Sequence, residues 1–192
     1  MIQALVISQI VLLVLVTILA IMVLALARQV GMLHERITPV GALINDQGPE
    51  VGTSLAQITG QDLAGENQEI SVTSPTLLAF VSPTCPVCKR VLPILKAIAS
   101  QEGFQLVLAS DGQPEKQREF VESAGLANYH YLISKELGMR LGVGKLPYLF
   151  VLEAGGKIAA KGLVNTREHI ESLLAARETG FASLQDYLSE QS

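Results

Sequence analysis

An α/β domain with a central sheet covered on both faces by helices, preceded by one membrane-spanning helix, is the fold class this sequence predicts. Three observations predict it. Residues 4–27 carry no charge, and only Ser8, Gln9 and Thr17 interrupt the apolar run, which is long enough to cross a bilayer as a helix. Beyond residue 51, short runs of strand character alternate with segments whose apolar residues recur at helical spacing. Near the end, 148–153 and 157–164 read as two strands joined across Ala154-Gly155-Gly156, the clearest hairpin in the chain.

Composition agrees with a membrane segment. At 192 residues, 49% hydrophobic and a mean hydropathy of +0.38, the chain is too apolar for a plain soluble domain. A net charge of -4 without a basic patch gives nucleic-acid binding no support. The first segment has a second reading as a cleaved signal peptide, with Ala25-Leu26-Ala27 as the A-x-A site. No Lys or Arg precedes it and its apolar stretch exceeds a usual signal core, so residues 1–28 are read as a retained transmembrane anchor in contact with the lipid bilayer. Arg28 and Arg36 both follow the span, and the positive-inside rule alone would place what comes next in the cytoplasm.

Residues 29–50 read as a juxtamembrane segment. A short helix at 29–36 ends in His34-Glu35-Arg36, a solvated helix end, and a tether broken by Pro39, Gly41, Gly48 and Pro49 follows. The folded domain is expected over 51–176. It opens with a hairpin of strands at 57–59 and 69–72, separated by Gly60, Gly65 and Asn67. A strand at 77–82 leads into a helix at 86–101, which Pro93 should kink. A strand at 105–109 ends in the turn Asp111-Gly112, and Pro114 opens a helix over 114–123. Residues 129–133 are a short strand or a loop, and 135–141 a further helical turn or two. Residues 166–176 close the domain as an amphipathic helix, and 177–192 form a tail helix with a weak apolar stripe of Phe181, Leu184 and Leu188.

Both cysteines fall in Ser82-Pro83-Thr84-Cys85-Pro86-Val87-Cys88-Lys89, where the strand hands over to the helix. Cys85 lies at or just before the first helical turn, where free backbone N–H groups and the helix dipole favour negative charge and so favour its thiolate. Pro86 suits the first helical position, and Cys88 lies one turn further in, within reach of Cys85. The expected roles are an exposed attacking thiolate at Cys85 and a shielded resolving thiol at Cys88, exchanging disulfides through a mixed-disulfide intermediate. Zinc is the first rival, but a structural site needs four ligands and the chain offers only His34, His130 and His169 besides, far apart in sequence. No metal and no cofactor are therefore expected. A purely structural disulfide is the other rival; so short a loop constrains the unfolded chain little. Lys89, Arg90 and Lys145 either add positive potential near Cys85 or merely solvate the surface.

With C-P-x-C at the first strand-to-helix junction and Pro147 just ahead of the last hairpin, the arrangement resembles the thioredoxin-like fold, a central mixed sheet flanked by helices, here with an N-terminal hairpin extension and a membrane anchor. That resemblance implies a cis peptide at Leu146-Pro147 opposite the cysteines, with the backbone of Leu146 pairing with an extended substrate segment. The words Ala27-Arg28-Gln29-Val30-Gly31-Met32-Leu33-His34-Glu35-Arg36 and Ser82-Pro83-Thr84-Cys85-Pro86-Val87-Cys88-Lys89, with the length and the anchor, resemble the MauD family of methylamine dehydrogenase accessory proteins over nearly the whole chain.

The family resemblance implies a single-pass inner-membrane protein whose domain lies in the periplasm. It also implies a thiol-disulfide oxidoreductase or isomerase that matures the disulfide-rich small (beta) subunit of methylamine dehydrogenase, recharged by an unidentified membrane redox partner. This outweighs the two arginines. Alternatives are a general TlpA-like reductase, a tethered binding or chaperone module whose cysteines are incidental, and a copper carrier. Two departures speak against a general reductant. Ala79 stands where thioredoxins carry a buried acid, and Val91 stands where cytochrome c maturation reductases commonly carry Glu, although Pro93 is kept.

Overall fold

The computed structural model describes residues 2–34 and 48–179. The chain divides into two units, Met1–Ile44 and Asn45–Ser192. Residues 35–47, with Arg36 and most of the tether, and residues 180–192, with the Phe181-Leu184-Leu188 stripe, lie outside the described residues.

In the first unit, α1 (Ile2–His34) is one unbroken helix of 33 residues, continuous through the boundary that the sequence puts after Arg28. Its segment Val6–Val23 is apolar and long enough to cross a membrane, and none of that segment is buried by protein. Thr17, the polar residue at its middle, returns its hydroxyl to the Leu13 carbonyl at 2.7 Å, so the helix satisfies that group internally.

The second unit is a seven-stranded mixed sheet in the order β2-β1-β5-β4-β3-β6-β7. β1 (Gln57–Gln61) and β2 (Asn67–Ser71) form the antiparallel hairpin read from the sequence. Its turn is held by the Asp62 carboxylate, which accepts from the N–H groups of Ala64 and Glu66. β3 (Thr76–Phe80), β4 (Gln105–Ser110) and β5 (His130–Ile133) run parallel in the centre. β6 (Tyr148–Leu152) lies antiparallel to β3 and pairs onward with β7 (Ile158–Leu163). The added hairpin joins the sheet at the free side of β5, through the pair Gln61 and Ile133.

The central strands are buried on both faces, so they read as continuous apolar runs rather than as alternation. Their side chains still sort by parity. Leu77, Ala79, Leu106, Leu108, Leu149 and Val151 meet α2 (Pro86–Glu102), α3 (Pro114–Ser123) and α5 (Arg167–Thr179) on one face. Leu78, Phe80, Val107, Ala109, Phe150 and Leu152 meet Leu137 of α4 (Lys135–Arg140), Leu55 and the hairpin residues Ile58 and Ile70 on the other. α2 buries Val91, Leu92, Leu95 and Ile98 and continues through Pro93 to the left-handed cap Gly103.

The chain enters this domain along its edge. The Gly52 N–H donates to the Ile158 carbonyl at 2.7 Å, the Ile158 N–H donates to Thr53, and the Leu55 N–H donates to Gly156. The buried Lys161 ammonium donates to the Pro49 carbonyl at 2.7 Å.

Candidate active site

The site grows from the C-terminal end of β3. The sheet ladder continues one step past Phe80, where the Val81 N–H donates to the Ala109 carbonyl at 2.9 Å. The chain then turns through Ser82 to Thr84, closed by the Cys85 N–H on the Ser82 carbonyl and by a hydroxyl contact between Ser82 and Thr84. Cys85 is the N-cap of α2, with extended backbone (φ -90°, ψ 109°), and Pro86 occupies the first helical position.

Cys85 Sγ accepts a hydrogen bond from the Cys88 backbone N–H at 3.1 Å. A sulfur in this position receives one of the free donors of the helix start, which stabilises a thiolate more than a thiol. The two cysteines are joined in a disulfide, with their Cα atoms 5.3 Å apart. Cys85 is half-buried and Cys88 has no exposure at all, packed among Ala79, Val81, Val91 and Leu92. Ala79 and Val91 thus belong to the same buried apolar cluster as Cys88. Among the described residues, the buried polar side chains of the domain are Thr76, Ser110, Gln117 and Lys161, and no acid is among them.

Leu146 and Pro147 lie across from this junction. Tyr148, the next residue, is the register partner of Phe80, so β6 begins where β3 ends. The Leu146-Pro147 peptide is cis. The Pro147 carbonyl is taken by the Val164 N–H at 3.1 Å and a proline has no N–H, so the N–H and carbonyl of Leu146 are what this dipeptide can offer a visiting chain. Leu146 and Cys85 both rest half-buried on one apolar cluster.

Next to Leu146 opens a groove of about 340 Å³. Phe80, Val81, Val143 and Leu146 give it apolar walls, Met139 of α4 stands 70% exposed at its rim, and Gly138 leaves the α4 wall without a side chain. Sequence reasoning missed this groove because its residues come from four separate segments, none with a motif of its own.

Relatives among characterised proteins agree on one identity. The chain is 46% identical to the methylamine utilization protein MauD of Methylorubrum extorquens over 176 residues, 90% of this chain and 86% of that protein. It is equally similar, at 46%, to those of Paracoccus versutus and Paracoccus denitrificans, over 89% of this chain and 88% of each relative. The chain belongs to the MauD family. Solved structures place the fold of this MauD-family chain. A putative thiol:disulfide interchange protein DsbE from Chlorobium tepidum matches with a TM-score of 0.57 and 19% identity, over 67% of this chain and 98% of that one. The thioredoxin domain of a thiol-disulfide oxidoreductase from Bacteroides vulgatus matches with a TM-score of 0.54 and 20% identity, over 64% and 96%. The domain has the thioredoxin-like fold. No family model matches the chain.

Proposed function

We propose that this MauD-family protein is a membrane-tethered thiol-disulfide exchange protein in methylamine utilization, with α1 as its single-pass inner-membrane anchor and the thioredoxin-like domain in the periplasm. Its partner on this reading is the small subunit of methylamine dehydrogenase, whose disulfides it makes or reshuffles. The observation that carries the reading is the asymmetry of the pair: Cys85 half-exposed at the helix start, Cys88 sealed beneath it.

The exchange balances in either direction. A partner thiolate attacks Cys85 Sγ, a partner–Cys85 disulfide forms, and Cys88 leaves as thiolate. A second partner thiolate then attacks the partner sulfur of that bond, the partner disulfide forms and Cys85 leaves, so two electrons have passed to the pair. Run in reverse, Cys85 attacks a partner disulfide and Cys88 resolves the adduct. Leu146 holds the partner backbone beside Cys85 during both steps.

A Cys88→Ser protein retains the attacking sulfur and cannot resolve, so in cells grown on methylamine it should accumulate a mixed disulfide containing the small subunit, identified by non-reducing electrophoresis and mass spectrometry. Cys85→Ser should give no adduct and an under-oxidised or mispaired subunit. A Cys85→Ser strain whose small subunit has its normal disulfides would overturn the proposal. Protease accessibility of residues 51–176 in intact spheroplasts tests the side of the membrane.

A further inference from the structure

The groove beside Leu146 and the charges around Cys85 together describe a substrate. The floor of the groove is apolar, and Gly138 keeps α4 from covering it: a Cβ there would sit 3.7 Å from Phe80 Cε1, so the space above that ring is left to something else. Met139, with a flexible and polarisable side chain, is exposed at the rim of the groove that Phe80, Val81, Val143 and Leu146 line. On the polar side the groove carries Asp111 and Lys135, which offset each other.

The charges nearer the cysteines do not cancel. Lys89, one turn along α2 from Cys85, and its neighbour Arg90 are exposed, as is Lys145, adjacent to Leu146. Among the described residues none of the three has an ion-pair partner. No Asp or Glu occurs in 82–101 or in 137–152. In a chain of net charge -4, the segments that carry Cys85 and Leu146 thus hold exposed cations and no anion.

Resting on the thiol-exchange reading above, we infer that the preferred substrate is an extended polypeptide segment whose reactive cysteine is flanked by an acidic residue and by an apolar side chain. The apolar side chain fills the Phe80-Val81-Met139 groove, the acidic residue meets the rim of Lys89, Arg90 and Lys145, and Leu146 joins the two by backbone pairing. Apolar contact sets how long the encounter lasts, and charge sets how often it occurs.

The probes are short peptides with a single cysteine blocked as its methyl disulfide, flanked by Leu and Asp, by Leu and Lys, or by Ser and Asp. The reduced full-length protein in detergent micelles attacks the peptide sulfur through Cys85, methanethiolate leaves, and Cys88 then displaces the peptide thiolate from Cys85. The Leu/Asp peptide should react about tenfold faster than the Leu/Lys peptide at low salt, with the ratio falling towards one as salt screens the rim. It should also outrun the Ser/Asp peptide by several-fold at any salt.

Lys145→Glu should invert the charge preference. Gly144→Leu should erase the Leu-over-Ser preference by filling the mouth of the groove; a Cβ at residue 144 meets nothing within 4 Å and its φ is not positive, so the fold tolerates the change. Met139→Glu is the second test of the same wall. Equal rates for all three peptides, with the wild-type protein still reducing glutathione disulfide, would overturn the substrate preference and leave thiol exchange standing. Failure to reduce glutathione disulfide as well would overturn the exchange reading itself.

Discussion

The backbone N–H of Cys88 points at the sulfur of Cys85 across 3.1 Å, while the Cys88 side chain has no exposure to solvent. One residue thus supplies a donor to the Cys85 sulfur and keeps its own sulfur buried. In the reduced protein, alkylation by iodoacetamide should therefore modify Cys85 first, at pH values where free cysteine reacts slowly, and Cys88 only on unfolding. Peptide mapping after limited alkylation reads the order. Equal labelling of both cysteines would contradict the asymmetry.

The apolar surroundings of Cys88 lead to a second expectation. Cys88, Ala79 and Val91 belong to one buried apolar cluster and no acid is buried among the described residues, so on the exchange reading no buried acid is there to take the proton when Cys88 resolves an adduct. Resolution should accelerate with rising pH in the wild type. Ala79→Asp should raise the resolution rate near neutral pH and flatten that dependence, at a cost in stability from burying a carboxyl group. Stopped-flow decay of a preformed Cys85 adduct gives the rate directly.

Tyr131 offers a test of the frame behind the site. Its hydroxyl donates to Gln117 Oε1 at 2.6 Å, and the Gln117 amide donates to the Asp111 carbonyl at 2.6 Å, which fixes the loop after β4. Tyr131→Phe leaves the buried Gln117 oxygen without a donor and should destabilise by about 1–3 kcal/mol. Burial pushes the Tyr131 hydroxyl up from 10.0 to about 12, partly offset by a hydrogen bond with Ser110. Its contribution is fully present below pH 10 and is lost as pH rises towards 12, so the stability gap between wild type and Tyr131→Phe should narrow over that window. Denaturant unfolding across the range measures it.

At the opposite end of the sheet, the Arg177 guanidinium beside Glu153 holds that carboxyl below its ordinary value, and stacks 5.0 Å from the Phe104 ring centroid. A depressed carboxylate stabilises the fold above its unfolded pKa and loses that contribution as pH falls through the folded one. Glu153→Gln should lower the thermal midpoint slightly at pH 7 and not at all near pH 2. The effect is at most about 1 kcal/mol because the side chains are 36% and 27% exposed.

Two glycines separate backbone strain from steric conflict. Gly65 and Gly156 both have φ near +85°, at 88° and 84°. An added Cβ at Gly65 meets nothing within 4 Å, whereas at Gly156 it runs into the Leu55 carbonyl. Gly65→Ala should cost about 1 kcal/mol, and Gly156→Ala more than about 2 kcal/mol, in chemical denaturation.

Local pattern carried much of this fold into view. The cysteine junction, the helix at Pro114–Ser123 and the final hairpin were legible because each has its own punctuation: prolines at helix starts, glycines at the turn. Residues 129–133 were ambiguous because four strand residues carry little periodicity; pairing with Val107 to Ser110 is what makes them β5. Strand order was beyond local pattern, since the hairpin reaches β5 through a single register pair. Gln117 and Lys161 are buried although polar, which no local pattern marks, and each donates to a backbone carbonyl, of Asp111 and of Pro49. The cysteines announced themselves through their spacing, whereas the groove exists only once α4 and the loop before β6 are folded against β3.

The stitched segment from Pro49 to Leu55 has a consequence for solubility. Ile158 turns its N–H and carbonyl away from β6, and Gly52 and Thr53 occupy them, so the last strand does not present a bare ladder where the incoming chain crosses it. A protein trimmed to start beyond Leu55 would uncover that ladder and the Lys161 ammonium together, and should self-associate by recruiting strands from its neighbours.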